Sequence, residues 1–351
     1  MLAVVCWHVY RVSAPPFAKN AVPVFYWPLG LGRLGVDVFF VLSGFLVIRS
    51  WHATTRRASS TLRALGDFAR RRALRILPAY WCSLVVLLAL IAHPVLHNPR
   101  HLLMFFTLNE YLRFTLPSQV NVVYWSLSVE WHFYLLVPLI AWLMTRLGRW
   151  SVLLGCLVLS FMWWSHRPPM QLPQGSIFGH LDQFIAGAIV GELVVAYAGG
   201  ARTALVRFVS RKSIGVAIAV ALVAIGTYHG STLGASRGNG FDPLLHPLFG
   251  LCSAAGILHL LTTSRHTWLE HRALRAVGMI SYSLYLWHYP ILARGIPWAR
   301  RIVSLPSIVW LPMVIVVFVA LAFIVATLSY LLVERPFVVR KQSTKTALAT
   351  S

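Results

Sequence analysis

The chain has 351 residues, of which 58% are hydrophobic and only 11% charged, with a mean hydropathy of +0.70. Soluble domains carry about a quarter charged residues, so composition excludes a soluble fold. The formal net charge of +22 does not point to nucleic acid, because the basic residues sit between long apolar runs rather than on one face of a soluble domain. Four cysteines, Cys6, Cys82, Cys156 and Cys252, form no C-x-x-C pair, which excludes a disulfide framework or zinc site of the usual spacing.

The apolar runs predict an all-α, polytopic membrane bundle of about ten transmembrane helices. In chain order they fall at 1–12, 34–52, 74–92, 127–145, 149–165, 181–198, 212–228, 245–264, 278–293 and 307–333. Pro and Gly clusters such as Ala14-Pro15-Pro16 and Gly238-Asn239-Gly240 separate them. If the N-terminus is cytoplasmic, about two thirds of the 31 Lys and Arg residues lie in cytoplasmic loops, which places both termini inside. One membrane domain is expected over 1–340, with a disordered cytoplasmic tail at 341–351. The first helix is short for a crossing, since a span needs about 20 apolar residues. The expectation is that the true helix begins upstream of Met1.

Ionisable groups inside a bilayer are costly and mark function by default. Of nine acidic residues, Asp37, Glu130, Asp182 and Glu192 fall within or at the edge of predicted helices. Asp37 lies in Gly35-Val36-Asp37-Val38-Phe39-Phe40, one turn from Arg33, so an i,i+4 ion pair is its bland reading. Glu130 follows Tyr124-Trp125-Ser126-Leu127-Ser128-Val129. His8 and His288 lie in the first and ninth helices, where a histidine can shuttle protons. The run Arg70-Arg71-Arg72-Ala73-Leu74-Arg75 is either a topological anchor on anionic lipid or a phosphate clamp. Arg72 and Arg75, three residues apart, share a face. Trp27, Tyr124, Trp125 and Trp131 suit an outer aromatic belt or stacking on sugar rings.

Four segments together carry a family resemblance: Gly-Val-Asp-Val-Phe-Phe-Val-Leu-Ser-Gly-Phe-Leu (35–46), Arg71-Arg72-x-x-Arg75-Ile76-x-Pro78, Trp-Ser-Leu-Ser-Val-Glu (125–130) and Tyr-Ser-Leu-Tyr-Leu-Trp-His-Tyr-Pro (282–290). The sequence resembles bacterial acyltransferase family 3 over essentially 1–340, in the stand-alone form without an esterase-like domain. That resemblance implies a plasma-membrane O-acyltransferase moving an acyl group, often acetyl, from cytoplasmic acyl-CoA to a hydroxyl of a carbohydrate or macrolide-type acceptor. It implies no metal, no permanently bound cofactor and acetyl-CoA as co-substrate. His8 matches the family's essential helix-1 histidine; the arginine that precedes it in the family would fall before Met1. Under this reading His8 is the general base or becomes an acyl-histidine. Asp37 or Glu130 orients it or helps hold the acceptor. Arg71, Arg72 and Arg75 hold CoA phosphates, and Trp125, Ser126 and His288 bind substrate. A transporter and a non-catalytic glycolipid-binding protein are the rivals.

Overall fold

The computed structural model describes residues 1–13, 30–91, 97–110, 120–166, 176–232, 243–263, 267–303 and 307–337. Trp27 and the predicted tail at 341–351 lie outside these residues. Among the described residues there is no strand, and thirteen α-helices follow one another: α1 (Leu2–Ser13), α2 (Gly30–Arg33), α3 (Gly35–Thr55), α4 (Thr61–Ile91), α5 (Pro99–Phe106), α6 (Tyr124–Leu147), α7 (Arg149–Ser165), α8 (Leu181–Ala198), α9 (Ala204–Val209), α10 (Lys212–Thr232), α11 (Leu245–Thr262), α12 (Arg272–Ile302) and α13 (Ser307–Ser329). A π-helical segment, Tyr330–Glu334, continues α13.

Each of the ten predicted helices has a counterpart, and the all-helical membrane class stands. The number of full spans is a different quantity. Seven helical stretches among the described residues are long and apolar enough to cross a bilayer, while α1 and α7 are shorter apolar helices. Helix α12 is long, at 31 residues, but its ends carry Arg272, Arg275, Arg300 and Arg301, so it is less apolar than a lipid-facing span. Two helices also begin well before their predicted starts. In α4 the basic stretch from Thr61 to Arg75 is helical without being apolar, and a boundary drawn where hydropathy rises misses it. The start of α12 at Arg272 has the same cause. Short α2, α5 and α9 escaped notice because they are too short to show a period.

The bundle is built around α3 and α8. Asp37 meets Gln183 near the start of both helices, and His52 approaches Glu192 at 3.7 Å near their ends, so the two run parallel. Glycines set their separation. A Cβ on Gly44 would stand 2.0 Å from the Phe184 carbonyl oxygen, and one on Gly187 would stand 1.9 Å from that of Val41. Small residues at such crossings let backbones approach and gain dispersion contact, which is the main attraction available between helices in lipid. Around this pair a large core gathers side chains of α3, α4, α6, α8 and α12, including Phe40, Tyr80, Phe133 and Phe184. Phe133 and Phe184 stack with centroids 4.0 Å apart. A second cluster joins α1, α12 and α13, and a third joins α2 to α10 and α11. Leu90, Val316 and Leu332 stay exposed, as expected of a surface solvated by lipid.

Gly187→Ala should therefore lose stability by about 1–3 kcal/mol or more through overpacking. Gly155→Ala in α7, where a Cβ meets nothing within 4 Å, should be neutral or stabilising by up to about 1 kcal/mol. Thermal unfolding of the two variants in one detergent checks the contrast; equal midpoints would show that the α3–α8 crossing is not glycine-limited.

Candidate active site

The sequence candidates fall into two groups in space. The first surrounds a cavity of about 400 Å³ between α1, α3, α4, α6 and α12, partly open beside Phe39, Leu42 and Leu46. Arg72 and Arg75 of α4 stand in its wall beside Gly278 and Ser281 of α12, and Met1 and Val4 of α1 stand there too. Tyr282 pins α12 to α4 by donating to the Ile76 carbonyl at 2.9 Å. The Arg72 guanidinium lies over the rings of Phe68 (5.6 Å) and Tyr134 (5.4 Å). Its Nε is buried with no hydrogen-bond partner among the described residues. The Arg72 side chain as a whole stands in the cavity wall, and a guanidinium is a multidentate donor suited to an anion. Arg71 points elsewhere, donating to Thr54 at the end of α3. Of the three arginines expected to form one clamp, the structure brings two to the cavity and turns the third away, because consecutive residues on a helix diverge by about 100°.

Glu130 also lines the cavity. Its Oε1 accepts from Ser43 (2.7 Å) and Tyr134 (2.5 Å). Farther along α12, Tyr285 donates to the Val123 carbonyl at 3.0 Å and meets the Ser126 hydroxyl at 2.5 Å. Ser126 is buried and tied into the α6–α12 contact, while Trp125 packs edge-on against Phe40 with centroids 6.0 Å apart.

The histidines stand one turn beyond the cavity. Val4 and Tyr285 line it; His8 follows Val4 by four residues on α1, and His288 follows Tyr285 by three on α12, so each shares its neighbour's helix face. His8 Nδ1 lies 2.9 Å from His288 Nε2. His288 Nδ1 faces two backbone carbonyls, Tyr285 at 2.9 Å and Leu284 at 3.0 Å. A carbonyl only accepts, so His288 Nδ1 carries the proton and Nε2 the lone pair. That lone pair accepts a hydrogen bond from His8 Nδ1–H. In the neutral pair, His8 Nε2 is then left unprotonated, the state a base or nucleophile needs. The orienting contact expected from Asp37 or Glu130 comes instead from His288.

Asp37 anchors the second group. Its Oδ1 accepts from Gln183 at 2.5 Å and from His246 Nδ1 at 3.0 Å, rather than pairing along its own helix. Trp164 stacks on His246 with centroids 5.5 Å apart and donates its indole N–H to the Gly179 carbonyl at 2.8 Å. Asp182 accepts from Ser160 at 2.7 Å, and Glu192 pairs with Arg149 at 3.1 Å. These contacts join α3, α7, α8 and α11. Neither Gln183 nor His246 was singled out from sequence; an amide and a histidine beside Pro247 carry no local signature. Glu110, also missed, lies between α5 and α6, buried with both carboxylate oxygens lacking a partner among the described residues. Burial pushes its carboxyl well above the usual carboxylate range.

An all-helical membrane bundle with a cavity between its helices, arginines at one end and a histidine pair past the other, defines the class. The chain belongs to the acyltransferase 3 family: residues 1–332 match its profile, described as an acyltransferase domain. It is 26% identical over 339 residues to the peptidoglycan O-acetyltransferase OatA of Listeria monocytogenes, covering 89% of this chain and 52% of that protein. It is 26% identical to the putative peptidoglycan O-acetyltransferase YrhL of Bacillus subtilis, covering 89% and 51%. It is 28% identical over 280 residues to the exopolysaccharide production protein ExoZ of Rhizobium meliloti, covering 74% and 76%. The chain thus spans about half the length of the first two relatives. No solved structure matches it.

Asp37→Ala should cost roughly 3–5 kcal/mol, because it leaves His246 and Gln183 buried without their shared acceptor. His8→Ala, at a half-buried position, should cost less. Unfolding midpoints in detergent decide this; a stable Asp37→Ala protein would mean the carboxylate is not a packing element.

Proposed function

We propose that the protein is a membrane O-acetyltransferase that takes its acyl group from acyl-CoA and passes it to a hydroxyl of a cell-surface carbohydrate polymer. One observation carries this reading. A single cavity begins at Arg72 and Arg75 and ends within a turn of His8 and His288. From Gly278 to His288 is ten residues of α12, or about 15 Å at 1.5 Å per residue. A CoA thioester needs a cationic seat for phosphates, an extended slot for its pantetheine arm and a base at the far end.

Arg72 and Arg75 take the CoA phosphates. The loop arginine bias supports placing this end in the cytoplasm of a plasma-membrane protein. The apolar side chains of Val38, Leu42 and Leu46 flank the slot. His8 Nε2 removes the proton from the acceptor hydroxyl as its oxygen attacks the thioester carbonyl. The tetrahedral intermediate then expels CoA as thiolate, and the imidazolium returns the proton to sulfur. The ester product and free CoA balance the reaction. His288 acts through His8: it holds the ring in the tautomer with Nε2 free and shares the positive charge as it develops. Glu130 offers an acceptor on the cavity wall near the arginine end, beside Tyr134, for orienting the donor. The named relatives that act on peptidoglycan, and the exopolysaccharide protein, support a carbohydrate acceptor over a macrolide.

With acetyl-CoA and candidate glycans, the full chain should release CoA thiol only when acceptor is present. His8→Ala should abolish release, since general-base catalysis contributes about 10²–10⁴-fold. Arg72→Gln with Arg75→Gln should raise KM for acetyl-CoA and leave kcat within a few-fold. Full turnover by His8→Ala, or an unchanged KM in the arginine variant, would refute the respective role. His288→Gln, which can still accept from His8, should keep more activity than His288→Leu; equal loss would reduce His288 to a packing residue.

A further inference from the structure

Away from the cavity, a second concavity of about 850 Å³ opens between α9, α10 and α11, next to the end of α8. Because α3 and α8 run parallel, this groove sits at the arginine end of the bundle. None of its lining residues is acidic, and three are cations: Arg202, Arg207 and Lys212. They cluster at the limits of two membrane-spanning helices, which cover Lys212–His229 and Leu245–Thr262. Beyond them the groove changes character. Val216, Ala219 and Leu260 form its inner wall. Val216, Val220 and Val223, at i, i+4 and i+7, extend it as an exposed apolar ridge along α10. Lys212 to Ala219 is seven residues, or about 10 Å of helix.

The groove floor is built rather than incidental. His259 reaches the Val209 carbonyl at 2.7 Å and fills the space opposite Gly215, where a Cβ would stand 2.4 Å from its Nε2. Ser210 and Thr262 hydroxyls meet at 2.8 Å, and Tyr197 donates to the Thr262 carbonyl at 3.1 Å. These bonds tie α8, α9 and α11 together beneath the cations. Helix α9 lies with Val206 and Val209 buried while Arg207 and Phe208 face outward, the arrangement of an interfacial helix.

We infer that this groove is a binding site for an anionic diacyl phospholipid. The charge profile selects the ligand. A soluble phosphate would need only the cations, and a neutral lipid only the apolar wall. A phospholipid phosphate at the span boundary, with an acyl chain following the α10 ridge, uses both halves. Cationic concavities between transmembrane helices take anionic headgroups for this reason. The site is independent of the proposed acyl transfer.

The test is lipid retention by the full chain, purified in neutral detergent and titrated with phosphatidylglycerol or phosphatidylcholine, read by native mass spectrometry. Phosphatidylglycerol should be preferred. Replacing Arg202, Arg207 and Lys212 by Gln should weaken it roughly a hundredfold, since each basic residue near an anionic headgroup contributes on the order of fivefold. Ala219→Trp, which fills the apolar half and keeps every charge, should also weaken it. A control variant with Arg56, Arg57 and Arg63 replaced by Gln should bind normally. The inference is overturned if the control loses binding equally, if Ala219→Trp binds normally, or if glycerol 3-phosphate at millimolar concentration displaces the lipid.

Discussion

Hydrocarbon offers no hydrogen bonds, so each polar atom carried into the spans has to be met by another part of the chain. That constraint organises the interior. Asp37 is answered by Gln183 and His246, Glu130 by Ser43 and Tyr134, and His288 by the carbonyls of its own helix. The bonds from Gln183 and His246 to Asp37 and from Ser43 to Glu130 each fix one helix against another. The bonds that satisfy the polar groups are therefore also the bonds that set helix register, beside the glycine crossing of α3 and α8.

Within this scheme the two polar groups do different work. Around Asp37, the carboxylate binds Gln183 of α8 and His246 of α11, with Trp164 of α7 stacked on His246, which suits a group that holds helices together. Around the cavity, satisfaction is incomplete. Among the described residues Arg72 Nε has no acceptor, and the neutral tautomer chain leaves a lone pair on His8. A cationic side chain in the cavity wall and a free lone pair on His8 are what a site for an anionic, thioester-bearing ligand requires.

Much of the architecture was legible in the sequence because apolar runs and their basic flanks are properties of consecutive residues. The positions of ten of the helices followed from them, though not the number of full spans, as did the sharing of a face by Arg72 and Arg75. Boundaries at Thr61 and Arg272 were not legible, since helix persists there after hydropathy ends. At the candidate site, His8 and Glu130 stood out as polar groups in apolar surroundings. Their partners did not. The link from His8 to His288 spans 280 residues of sequence, and that from Asp37 to His246 spans 209. No local pattern encodes such contacts. Asp37 and Glu130 were natural guesses for the group that orients His8 because carboxylates commonly do so, yet packing of α1 against α12 gives that place to a second histidine.

The central claim is that donor thioester, arginines and histidine pair share one cavity. A cryo-EM structure of the full chain bound to a non-hydrolysable acetyl-CoA analogue tests it directly. The account predicts phosphate density against Arg72 and Arg75, with the pantetheine arm running between α4 and α12 toward His8. Density for the analogue elsewhere, such as in the groove between α10 and α11, with the cavity empty, would contradict it.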